Sequence, residues 1–92
     1  MAEAQQRRRL RIRGLVQGVA FRAATRDAAL RVGASGWVRN RGDGSVEAVI
    51  EGSEDQLEAV LAFCREGPRF AQVDTVEVST EPCEGLRGFA IR

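Results

Sequence analysis

Between Arg8 and Gly14, apolar Leu10 and Ile12 alternate with Arg9, Arg11 and Arg13, and this period of two predicts a strand buried on one face. From Phe21 the period lengthens. Phe21, Thr25, Ala28 or Ala29, and Val32 share one side of a helix, while Arg22, Arg26 and Asp27 fall elsewhere, and Gly33 is placed to end it in the left-handed conformation. Residues 36–40 and 45–51 read as two strands joined by a tight turn over 41–44, with Asp43-Gly44 expected to supply the positive φ angles of a short hairpin. Ser53 and Gln56 have the spacing of a capping box, and Leu57, Val60, Leu61 and Cys64 follow at i, i+3, i+4 and i+7, which predicts a second helix over about 54–66. Gly67-Pro68 stops it, because proline neither continues the helical ladder nor tolerates a helical residue before it. Val73, Val76 and Val78 then populate a strand over 72–80, residues 82–88 form a loop, and residues 89–92 close as a short edge segment.

The order is therefore strand, helix, strand, strand, helix, strand, with a small final strand. Helices with one apolar stripe and strands with one apolar face are all satisfied by a two-layer arrangement. The expected fold is α+β, a ferredoxin-like α/β sandwich (βαββαβ) whose antiparallel sheet carries both helices on one face. Residues 1–8 are expected to form a flexible N-terminal extension and residues 9–92 the domain. Such an architecture hosts RNA readers, metal carriers, regulatory modules and hydrolases, so function must come from the residues.

Ninety-two residues suffice for one domain that folds without staples. No apolar run approaches the ~18 residues of a membrane span, and the N-terminus lacks the apolar stretch of a signal peptide, so a cytoplasmic protein without membrane contact is expected. Cys64 and Cys83 are then two free thiols, one on a helix and one in a loop. There is no histidine, and the cysteine separation matches no metal spacing, so no metal or cofactor is expected. The net charge of +1 conceals an asymmetry: residues 1–41 hold ten Arg and two acids, residues 42–92 four Arg and eleven acids. Pairing of strands from the two halves would mix these charges in space. An RNA-binding sheet would need aromatic side chains on its central strands, and residues 46–51 have none, so no nucleic-acid partner is expected.

The candidate chemistry lies in Gly14-Leu15-Val16-Gln17-Gly18-Val19-Ala20-Phe21-Arg22, a glycine-bracketed loop leading into a helix. Helix N-termini carry unsatisfied donors and the positive end of a dipole, and consecutive loop amides can line a concavity for oxygen anions. Arg22 would close that concavity, since a planar guanidinium meets phosphate with two parallel hydrogen bonds. Asn40 alone would be read as a turn-initiating residue bonded to its local backbone.

Val16-Gln17-Gly18-Val19-Ala20-Phe21-Arg22, followed by Gly36-Trp37-Val38-Arg39-Asn40 and Asp43-Gly44-Ser45-Val46-Glu47, resembles the acylphosphatase family over nearly the whole chain. The resemblance implies that Arg22 binds phosphate, that Asn40 positions water, and that the amides of Val16, Gln17, Gly18, Val19, Ala20 and Phe21 complete the phosphate cradle. It implies a metal-independent hydrolase, working as a monomer on a small acyl phosphate, with inorganic phosphate or sulfate as a product-like ligand. The residue inventory suits that chemistry. A carboxylate leaves phosphorus without protonation, so binding the phosphoryl oxygens and holding a water in line are what the protein must do. Ala20 and Arg41-Gly42 depart from the family pattern, but both principal residues are present.

Overall fold

A computed structural model of the chain, which describes residues 4–92, contains β1 (Gln6–Leu15), α1 (Phe21–Val32), β2 (Ser35–Asn40), β3 (Val46–Gly52), α2 (Glu54–Glu66), β4 (Gln72–Glu81) and β5 (Phe89–Ile91). The five strands form one sheet in the order β4-β1-β3-β2-β5. The four long strands pair antiparallel, as their hydrophobic alternation requires, whereas β5 joins the edge of β2 in parallel, with Val38 opposite Ile91. The sheet is thus mixed, and the parallel pair arises because residues 82–88 carry the chain back along the sheet before the last strand begins.

One face of the sheet is covered by both helices. Leu10, Ile12, Val38, Val46, Ala48 and Ile50 point toward Phe21 and Ala29 of α1 and Leu57, Val60 and Cys64 of α2, forming the core. Both helix ends predicted from sequence are present. Gly33, at φ 79°, donates its N–H to Ala29 and Leu30, and Ser53 with Gln56 forms a capping box. Gln56 also donates from Nε2 to the Val32 carbonyl at 2.8 Å, fastening the start of α2 to the end of α1.

β1 begins at Gln6, two residues before the strand read from sequence at Arg8 and within the extension expected over residues 1–8. Arg7 explains the difference: it is buried, with Nη1 3.0 Å from Glu51 Oε2 and Nε 2.9 Å from Glu81 Oε1, so the chain is held in the sheet from there. Residues 1–3 of the expected extension lie outside the described residues. At the other end β1 runs through Gly14 to Leu15, with an irregularity in its pairing to β4 between Arg13 and Gly14. A Cβ on Gly14 would lie 2.1 Å from the Gln72 carbonyl oxygen at φ 131°, so the bulge requires glycine, and it aims the chain into the following loop.

The face away from the helices carries the charges that were segregated along the sequence, now interleaved. Arg9 bonds Glu47 and Glu81, Arg13 bonds Glu77, and Arg39 and Arg41 both reach Glu47. Trp37 lies among them with the guanidinium carbons of Arg92, Arg39 and Arg9 at 4.6, 5.4 and 5.7 Å from its ring centre. β3, at the middle of the sheet, is consequently buried on both faces. Burial alone would push the Glu47 carboxyl up, but hydrogen bonds from Arg39, Arg9 and Arg41 outweigh it and hold the group at about 2. A carboxyl whose folded pKa lies below its unfolded value stabilises the fold above the unfolded pKa and loses that contribution as pH falls through the folded one. Going from about pH 6 to about pH 3 should therefore cost about 2 kcal/mol through Glu47. Urea denaturation at the two pH values checks this, and Glu47→Gln should flatten the difference while lowering stability at the higher pH.

Candidate active site

The loop between β1 and α1 comprises residues 16–20, and it starts from the buried Val16, which anchors it in the core. Gly18 (φ 76°) and Ala20 (φ 61°, ψ 27°) both adopt left-handed conformations, and Ala20 is the one non-glycine residue with positive φ among the described residues. Such a conformation costs an L-residue roughly 1–2 kcal/mol. Here it turns the chain so that Ala20 becomes the N-cap of α1.

Ala20 has no side chain with which to cap a helix, and no acidic residue occupies the first turn of α1. The contrast with α2 is direct, because there Ser53 supplies the cap and Glu54 and Asp55 complement the dipole. The first amides of α1 are therefore left for an external acceptor, and Arg22 in that turn adds a full positive charge to the dipole's positive end. Among the described residues Arg22 takes no part in the salt bridges, which draw on the arginines of the sheet and on Arg26.

Arg22 and Asn40 line the same recess. It has a volume of about 170 Å³, and its walls come from the loop (Val16, Gly18, Ala20), the first turn of α1 (Phe21, Arg22, Ala23), the end of β2 (Asn40) and β5 (Ile91). Asn40 reaches it because Gly36, Val38 and Asn40 occupy alternate positions of β2 and share the face on which α1 lies. Its carboxamide makes no hydrogen bond among the described residues; the turn is organised by Asp43, whose Oδ1 accepts from Ser45 N at 3.0 Å and Ser45 Oγ at 2.6 Å. Those two hydrogen bonds lower the Asp43 carboxyl to about 2. Only Gly44 of the Asp-Gly pair has positive φ, at 90°, so the turn is of the kind that ends in a single left-handed residue.

Gln17 and Val19 do not line the recess. Val19 packs against the core, and the Gln17 side chain donates from Nε2 to two carbonyl oxygens of the hairpin turn, Arg41 at 2.7 Å and Ser45 at 2.9 Å. This tie fixes the loop relative to the turn that follows Asn40. Sequence reasoning treated Gln17 only as a source of a backbone amide, although a long amide side chain among small and apolar loop residues was a signal. It also missed Ile91, which the parallel pairing of β5 brings to the recess. The described residues contain no group of three His, Cys, Asp or Glu side chains placed to hold a metal ion, and no helix among them is long and apolar enough to cross a membrane.

The chain that carries this recess has counterparts among known proteins. The acylphosphatase of Aeropyrum pernix is 53% identical over 88 residues, covering 94% of this chain and 87% of its own. Among solved structures, acylphosphatase from Bacillus subtilis superimposes with a TM-score of 0.92 at 34% identity, covering 95% of this chain and 98% of that one. The acylphosphatase from Coxiella burnetii gives the same score at 32% identity over 96% and 93% of the two chains. The family model described as Acylphosphatase matches residues 8–91, a span that takes in the loop, both helices, the hairpin and β5, and the chain belongs to the acylphosphatase family.

Proposed function

We propose that the chain hydrolyses acyl phosphates by holding the phosphoryl group between Arg22 and the amides at the start of α1, with Asn40 presenting the attacking water. The observation that carries this reading is that Arg22 and Asn40 line one recess at an uncapped helix N-terminus. In the reaction the water oxygen bonds to phosphorus as the bond from phosphorus to the acyl oxygen breaks. The carboxylate departs with the electron pair and needs no proton, and the proton of the water passes to a phosphoryl oxygen. Inorganic phosphate and the free carboxylate are the products. Negative charge grows on the acyl oxygen and redistributes over the phosphoryl oxygens, where the guanidinium and the amide dipoles of this cradle would stabilise it.

The loop geometry supports preorganisation. Gly18 and Ala20 shape the loop, and the Gln17 hydrogen bonds fix its distance from the β2–β3 turn. We further propose that the protein acts as a cytoplasmic monomer, with a small-molecule substrate and no bound cofactor. The two free cysteines, one of them exposed, are compatible with a reducing compartment.

Hydrolysis of benzoyl phosphate with a chelator present tests the reading. Wild-type turnover should be unaffected by the chelator, and inorganic phosphate should inhibit competitively. Asn40→Ala should lower kcat by about 10²–10³-fold, the scale of one lost preorganised contact, while leaving phosphate inhibition close to that of wild type. Full activity in this variant would remove Asn40 from the mechanism.

A further inference from the structure

We infer that the acyl group of the substrate rests against Ile91, and that the recess therefore selects acyl phosphates with uncharged, apolar acyl groups over those carrying a second carboxylate. This rests on the reading of the recess as the hydrolytic site. It goes beyond that reading because none of the chemistry at phosphorus requires Ile91.

Reachable surface decides between the walls. Val16 and Phe21, although they line the recess, are each 1% exposed and belong to the core, so they offer a bound molecule almost nothing. The alanines at 20 and 23 are small. Ile91 is 38% exposed and is the largest apolar side chain of the lining with surface to give. Its position is fixed by backbone pairing: Ile91 stands opposite Val38 in the parallel ladder, and the N–H of Arg92 donates to the Val38 carbonyl at 2.9 Å. Phe89 and Ile91 are alternate residues of β5 on one face, and Phe89 packs against the core, which turns Ile91 toward α1.

With the phosphoryl group at Arg22, the acyl group is left to the remaining walls: the buried floor of Val16 and Phe21 offers it no surface, and Ile91 does. Charge sets the preference. Arg22 is the one charged side chain in the lining, and the phosphoryl group engages it, so a second carboxylate on the acyl group would lose water without finding a partner.

The test compares benzoyl phosphate, acetyl phosphate and succinyl phosphate as substrates of the wild type, Ile91→Ala, Ile91→Leu and Ile91→Lys. Wild type should prefer benzoyl over succinyl phosphate. Ile91→Ala should raise KM for benzoyl phosphate about tenfold and leave acetyl phosphate within about twofold, in line with the worth of a few methylene contacts in a pocket. Ile91→Leu should keep the preference, and Ile91→Lys should shift it toward succinyl phosphate. The inhibition constant for inorganic phosphate should be the same in all four proteins, which separates an effect on the acyl group from damage to the phosphate cradle, and melting temperatures report whether β5 still docks. An unchanged ratio of benzoyl to acetyl phosphate in a folded Ile91→Ala protein overturns the inference and leaves the hydrolytic reading standing. Absence of wild-type turnover on all three substrates overturns both.

Discussion

Arg22→Gln is expected to lower kcat/KM for benzoyl phosphate by about 10³-fold or more and to weaken inhibition by inorganic phosphate in parallel. One neutral preorganised donor is worth about 10²–10³ in rate, and an arginine meeting a transferring phosphoryl group about 10³–10⁵. Glutamine keeps a donor and most of the length but loses the charge and the fork. Arg22→Lys separates these two losses. A lysine restores the charge as a point without the paired geometry, so it should recover only part of the rate. The fold should be indifferent to either change, since Arg22 takes no part in the salt bridges of the described residues and extends from the first turn of α1 into the recess. Thermal melting of both variants should match the wild type within the roughly 0.5 kcal/mol typical of surface positions. Activity within a factor of three of wild type in Arg22→Gln would show that the phosphoryl group is held elsewhere.

Glu51→Ala should give the opposite pattern, a large loss of stability from a residue outside the recess. Glu51 is 3% exposed on the outer face of β3, and its carboxylate accepts from Arg7 Nη1 at 3.0 Å and from the amides of Glu84, Gly85 and Leu86 at 2.8, 3.1 and 2.9 Å. Burial would raise its pKa, but the backbone donors and Arg7 more than compensate, and the group stays below the usual carboxylate range. Truncation leaves a buried guanidinium with one fewer partner and three loop amides without their acceptor. Breaking a buried pair costs about 3–5 kcal/mol, and the lower end applies here because Arg7 retains Glu81 and the loop amides can meet water. For a domain of this size each kcal/mol corresponds to about 4–8 °C in melting temperature. Calorimetry or circular dichroism melts should therefore show Glu51→Ala unfolding well over 10 °C below the wild type, and a shift of less than about 4 °C would mean that the carboxylate carries no such burden. The same loop delivers β5, so residual activity in the folded fraction should fall more for benzoyl than for acetyl phosphate.

Local pattern carried the elements. The helical spacing from Phe21 to Val32 and from Leu57 to Cys64, the stop at Gly33 and the capping box at Ser53 are short-range events, decided by neighbours three or four residues away, and each is present in the fold. The hairpin was readable for the same reason, although Asp43 proved to hold its turn through hydrogen bonds to Ser45, with positive φ at Gly44 alone. What could not be read depends on register between distant segments. That Arg7 meets Glu51, that Glu47 collects four arginines within 4 Å, and that β5 lies parallel to β2 follow from which residues stand opposite one another in the finished sheet. The same holds for the recess. Arg22 and Asn40 were singled out through their motifs, but the Gln17 tie and the Ile91 wall join segments 24 or more residues apart, and no local pattern names the partners they meet.

The lining of the recess has a consequence for how its kinetics should be read. It contains an arginine, an asparagine, glycine and hydrocarbon side chains, and the whole chain has no histidine, lysine or tyrosine. No acid or base of the kind that shapes most rate profiles near neutrality lines the recess. With the recess as the hydrolytic site, a bend in the activity curve between about pH 5 and about pH 9 should therefore follow the ionisation of the substrate's own phosphate, with the protein as a fixed electrostatic background.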